Sequence, residues 1–234
     1  MTTTVTAVRA ATPDRPPHRP NRLLLAGVVA GAVFVLVFLV AGWTRPGYDP
    51  MRHPVSSLAL GPSGWVQVVN FLVAGVLTLI FAVGLRRSLR PGPGSIMGPV
   101  LIGVWGVGLL GAGAFATDPV SCYPPGTPSL ADPTTWHGIA HDAFSLPAFL
   151  GLAGAMFVFT YAFARRRAWA WSVYSGLSGI AFAVGFVLAS AGFSQASALV
   201  GTAGLWQRLT VGIGWLWLAL LAVRQISADR RAVR

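Results

Sequence analysis

The chain has 234 residues, 54% of them hydrophobic and only 10% charged. A soluble domain carries about 25% charged residues, so this composition excludes a water-soluble globular protein of this size. The formal net charge of +11 does not point to nucleic acid either: all seventeen basic residues are Arg, most of them in short clusters between apolar runs, as in the loops of a membrane protein.

Residues 1–22 are rich in Thr, Pro and Arg and have no apolar periodicity, the composition of a disordered tail. Leu23–Trp43 is the first apolar run. It exceeds the 7–15 residues of a signal-peptide core, so we read it as an uncleaved helix. Further runs follow at Trp65–Leu85, Ile96–Ala116, Trp136–Phe163, Trp169–Gly192 and Leu205–Val223. Each approaches the length of about 20 residues that crosses a hydrocarbon core. The fold class expected is therefore all-α, a bundle of six transmembrane helices over residues 23–224, with a polar, basic tail at 225–234. Pro147 is placed to kink the fourth helix. Gly27 and Gly31 on the first, and six glycines on the third, suit close helix packing in a single bundle.

Arginine placement gives the orientation. Fourteen Arg fall in the N-terminal segment, the second and fourth connections and the C-terminal tail, against Arg45 and Arg52 in the alternate loops. By the positive-inside rule both termini are cytoplasmic, in a plasma membrane of the bacterial inner-membrane kind. Trp43, Trp65, Trp136 and Trp206 then mark outer helix ends, and Trp169 and Trp171 an inner one. The lone Cys122 cannot form an internal disulfide.

The polar residues of the spans gather at their outer ends. Gln67 and Asn70 open the second helix, Asp118 follows the third, His137, His141 and Asp142 open the fourth, and Gln207 and Arg208 open the sixth. The first outer loop adds Arg52, His53 and Ser56. Polar groups at membrane depth face a bundle interior and pair with one another, so these eleven residues outline an outward-opening pocket. His137 and His141, four apart, share a helix face. With Asp118 or Asp142 as a carboxylate, and His53 as a third imidazole, they could hold zinc. An HxxxH pair without an adjacent Glu equally fits two solvated interfacial histidines. Arg208 either snorkels to the headgroups, pairs with Asp118 or Asp142, or binds a lipid phosphate or carboxylate.

Several segments together resemble the DUF998 family of six-helix membrane proteins of unknown function. They are His53-Pro-Val-Ser-Ser-Leu-Ala-Leu-Gly61 with Gly64-Trp65, Gly113-Ala-Phe-Ala-Thr-Asp118-Pro119, His137-Gly-Ile-Ala-His141 and Gly204-Leu-Trp-Gln-Arg208. In the last, Gln207 stands where the family pattern has Glu. The resemblance implies the topology and the candidate positions, and no reaction.

Three functions fit these residues. One is a non-enzymatic protein binding a small molecule or lipid in the outer pocket. The second is a zinc-dependent intramembrane hydrolase built on the HxxxH pair. The third is a small permease, which the apolar inner halves of the helices disfavour. The bilayer is the expected partner, and nucleic acid is not.

Overall fold

The computed structural model describes residues 21–233. It is all-helical, with no strand among the described residues, and six of its helices are long and apolar enough to cross a membrane. They are α1 (Leu25–Thr44), α2 (Trp65–Ser88), α3 (Met97–Ala114), α4 (Trp136–Arg165), α5 (Trp169–Phe193) and α6 (Ala203–Val233). Short 3-10 turns at Arg22–Leu24 and Val55–Ala59 precede α1 and α2.

Two boundaries differ from expectation. The tail expected over 1–22 lies mostly outside the described residues, but Asn21 and Arg22 belong to the bundle. Asn21 accepts the Leu23 N–H as an N-cap and donates to Gly84 O and Ser88 Oγ at the end of α2. At the other end, the segment expected as a polar tail from 225 is helical to Val233. No Gly or Pro interrupts it. Asp229 accepts hydrogen bonds from Ser88 and from Gln225 one turn earlier, so α6 stays docked beside the end of α2.

The helices form a ring in chain order. Each packs on its sequence neighbours, and α6 closes the ring against α1. Lipid-facing positions remain apolar and exposed, such as Leu36, Val76, Leu177 and Leu216. The inward faces pair large side chains with glycine: Gly27 receives the Phe81 ring of α2, and Gly31 receives Trp215 of α6. The small-residue pair on α1 is thus used within the chain. Trp43, Trp65, Trp136 and Trp169 are exposed at helix ends, where an indole suits the headgroup layer.

The α4–α5 seam is packed from the connection end to its middle. Near the α4–α5 connection, Gly176 and Gly179 sit against Thr160, Phe157 and Met156 of α4, and Ser172 donates to Thr160 O. Toward the opposite end, α4 stays with α3, Ala148 and Phe144 lying against Gly108 and Gly111. There α5 stays with α6 through Gly185 on Thr210 and Gly192 on Ala203. The stacked pair Phe149–Phe186, 4.6 Å between centroids, joins α4 and α5 midway along the seam. α4 is helical through Pro147, whose missing N–H leaves the Ala143 carbonyl without its helical donor.

Candidate functional site: a cavity at the loop end

The two long connections, residues 45–64 and 115–135, lie at the same end of the ring and interlock. Arg45 fastens the first by donating to the carbonyls of Leu58, Leu60 and Ser63. His53 then joins it to the second. The Asp49 N–H donates to His53 Nδ1 at 2.8 Å, and His53 Nε2 lies 3.2 Å from Ser121 O. An accepting Nδ1 requires the neutral Nε2–H tautomer, so both ring nitrogens are occupied. Burial pushes the His53 pKa below its ordinary value, which keeps that tautomer in place. Tyr48, His53 and Tyr123 pack ring on ring. Gln195, after α5, donates to Ser121 Oγ, which ties the last connection into the same roof.

Arg208 holds this roof from below. Its Nη1 donates to His53 O and Gly204 O, both at 3.0 Å, and its Nη2 donates to the Tyr48 hydroxyl. The guanidinium also lies over the Tyr48 and Phe38 rings. Neither Asp118 nor Asp142 is among these partners, so the expected Arg–Asp pair is replaced by a cation held by carbonyls, a phenol and two π faces. Burial raises the Tyr48 pKa to about 12 despite the adjacent Arg208, which acts to lower it. The phenol therefore keeps its proton, which points to Pro54 O at 2.9 Å or His53 O at 3.2 Å.

Beneath the roof lies a cavity of about 620 Å³ whose wall includes residues from all six helices. Of the residues expected in a pocket, Ser56, Asp118, His141, Asp142 and Gln207 line it. Asp118 is engaged by the start of α4: its Oδ2 accepts the Thr135 N–H at 2.9 Å and its Oδ1 the Thr135 hydroxyl at 2.6 Å. Gly138 leaves room for this carboxylate, since a Cβ there would collide with it. A negative charge at a helix N-terminus is favourable. His141 Nδ1 lies 2.9 Å from Phe115 O and donates to it, leaving Nε2 as the ring nitrogen without a hydrogen-bond partner among the described residues. Asp142 makes no hydrogen bond to another described residue. Gln207 Oε1 accepts the Val55 N–H at 2.7 Å, a task an amide oxygen performs as well as the carboxylate of the family pattern.

The other expected residues serve elsewhere. Gln67 and Asn70 are buried between α1 and α2, where Asn70 Nδ2 donates to Phe34 O at 3.1 Å and to Gln67 Oε1. His53, Arg52 and Arg208 belong to the roof and its support. His137 is exposed beside Trp136. Four-residue spacing placed the two histidines on one side of α4, but only His141 reaches the cavity wall. Among the described residues no three His, Cys, Asp or Glu side chains converge as metal ligands. The trio His137, His141 and Asp118 therefore does not assemble the zinc site outlined from the sequence.

The floor is aromatic and came without a sequence signal, because its residues are ordinary apolar span positions. Phe34, Phe71 and Trp105 line it, with Trp215 packed behind Phe34 and Trp105. Trp105 is 2% exposed, and its Nε1–H has no partner among the described residues. Higher up, Ser145 of α4 and Ser190 of α5 also line the cavity.

A family model described as "Protein of unknown function (DUF998)" matches residues 28–224. The chain belongs to the DUF998 family. No curated protein and no solved structure matches it. The segments that carried the DUF998 resemblance take on a physical meaning here. His53, Asp118, His141, Gln207 and Arg208 are the points at which the loops are fastened to one another and to helices, and the bonds of His53, Gln207 and Arg208 run between distant parts of the chain.

Proposed function

We propose that this DUF998 protein is a plasma-membrane protein with both termini in the cytoplasm, and that it binds a small molecule or lipid in the loop-end cavity, on the face away from the cytoplasm. The observation that carries the reading is the cavity's division into an aromatic floor and a polar upper wall, within the size range of ligand sites. Asp118, Gln207 and the Nδ1 side of His141 are bound to the protein's own backbone or side chains, as groups that shape a site are. Asp142, His141 Nε2, Ser145 and Ser190 remain for a ligand.

The orientation rests on the Arg distribution. Arg86, Arg87, Arg90 and Arg165 to Arg167 sit at the end of the ring opposite the roof.

Native mass spectrometry of protein kept in its own membrane lipids tests the binding reading. The expected spectrum shows a discrete adduct that survives mild activation and is lost in Ser190→Trp, which fills the cavity. A wild-type spectrum containing only apoprotein and the diffuse lipid adducts also seen in Ser190→Trp would overturn it.

A further inference from the structure

We infer that the ligand is a cationic amphiphile, an amine carrying an apolar body, which enters sideways from the bilayer between α4 and α5. The inference rests on the binding reading above and adds the chemical class and the route.

The route follows from the seam between α4 and α5. The roof is tied by the His53–Ser121 and Gln195–Ser121 links, and below it the cavity is lined by outer-half residues of both α4 and α5. Leu130, Ile139 and Leu146 line the cavity and are also 48%, 59% and 52% exposed. A mouth edged by three exposed apolar side chains, two of them on a membrane-spanning helix, suits a molecule already dissolved in lipid.

The charge of the wall selects the head. Among the described residues the cavity is lined by two carboxylates, Asp118 and Asp142, and by no Arg. The expectation that Arg208 would draw a phosphate or carboxylate fails because that guanidinium is used by the roof. Asp142 sits beside Ile139 and Leu146 on α4 at the mouth and makes no hydrogen bond to another described residue, so an ammonium group there meets a carboxylate whose titratable neighbours are His141 and Asp118.

The floor adds a second requirement. Trp105 lines the floor and its buried Nε1–H has no partner among the described residues, a lack that an acceptor oxygen on the ligand would relieve. Val104 of α3 lies against Gly151 of α4 and Gly108 against Ala148, so Trp105 is level with a point eight residues along α4 from Asp142. At 1.5 Å per residue the separation along the helix is about 12 Å. The ligand therefore spans roughly that length from ammonium to acceptor, with Phe149 and Phe186 beside its apolar middle.

The test uses the full chain in phosphatidylcholine nanodiscs, whose lipid has no net charge, with equilibrium binding of radiolabelled decylamine, decanoic acid and the amino alcohol bearing a hydroxyl at the far end of decylamine. Decylamine should bind saturably and about tenfold or more tighter than decanoate, as expected for one carboxylate facing an ammonium at a partly wet site. Asp142→Asn should remove that preference. The amino alcohol should bind more tightly than decylamine to the wild type, and not to Trp105→Phe.

Ser190→Trp should abolish saturable binding of all three, and Ser145→Phe provides the same block should Ser190→Trp not fold. Equal binding of amine and acid, blocked by the filling variants, would overturn the cationic assignment and leave the binding reading standing. Uptake that does not saturate and is unchanged by filling would overturn both.

Discussion

Replacing Arg208 with Met keeps the apolar stem and removes the cation that holds the roof. Two buried acceptors then lose a donor. The Tyr48 oxygen loses Nη2, and His53 O keeps only the Tyr48 hydroxyl, which is also claimed by Pro54 O. Gly204 O stays satisfied by the helix itself. A buried acceptor deprived of its partner costs about 1–3 kcal/mol, and the guanidinium no longer has to be desolvated, which offsets part of the loss. The net destabilisation is about 2–3 kcal/mol, and at about 2–4 °C per kcal/mol for a chain of this size the apparent melting temperature should fall by about 4–12 °C. The assay is thermal unfolding in detergent of the wild type, Arg208→Met, Tyr48→Phe, Asp118→Asn and the corresponding doubles. Arg208 and Tyr48 should be coupled by about 1 kcal/mol or more, and Arg208 and Asp118 should be additive within about 0.5 kcal/mol. Coupling to Asp118 with additivity toward Tyr48 would refute the assignment of Arg208 to the roof.

Acid should loosen the roof through His53. Its folded pKa lies below 6.5 because burial disfavours the charged ring, so the unfolded chain takes up the proton first as pH falls. The stability it contributes is complete above pH 6.5 and is lost as pH falls through the lower folded value. Hydrogen exchange in residues 45–64 should rise on acidification in the wild type and respond less in His53→Gln; an unchanged response in the variant would assign the effect elsewhere. Cys122 is exposed in the second loop, so an impermeant maleimide should label it in intact cells. Labelling only after permeabilisation would reverse the orientation. Gly75→Val should destabilise by about 1–3 kcal/mol by overpacking, because a Cβ there meets Leu110 at 2.8 Å and Gly106 O at 2.9 Å, whereas Gly103→Ala should be tolerated because nothing lies within 4 Å. Melting curves of the pair check the close approach of α2 and α3.

The bundle was legible because each span is a long apolar run bounded by Pro, Gly or Arg, and Trp65, Trp136 and Trp169 open α2, α4 and α5 where they were expected to. The end of α6 was misread because Arg224, Gln225 and Asp229 look like solvated tail residues, while their polarity serves a helix that docks on Ser88. Which polar groups share the cavity was legible only in part. Spacing places His137 and His141 on one side of α4 but not on one side of the cavity wall, since the contact of Gly138 with Asp118 of the second connection fixes how far the helix is turned. The roof depends on Tyr48, Ser121, Tyr123 and Gln195, which meet only after the loops fold over one another. Trp105 is a plain apolar residue in sequence, and its unpaired N–H exists only once the ring has closed around it.

A structure of the protein in lipid nanodiscs, resolved well enough to show side chains, tests most directly the claim that this cavity is the functional site. The account expects non-protein density running from Asp142 toward the Trp105 Nε1, entering between α4 and α5. A seam closed along its full length, with side chains filling the space above Trp105, would contradict it.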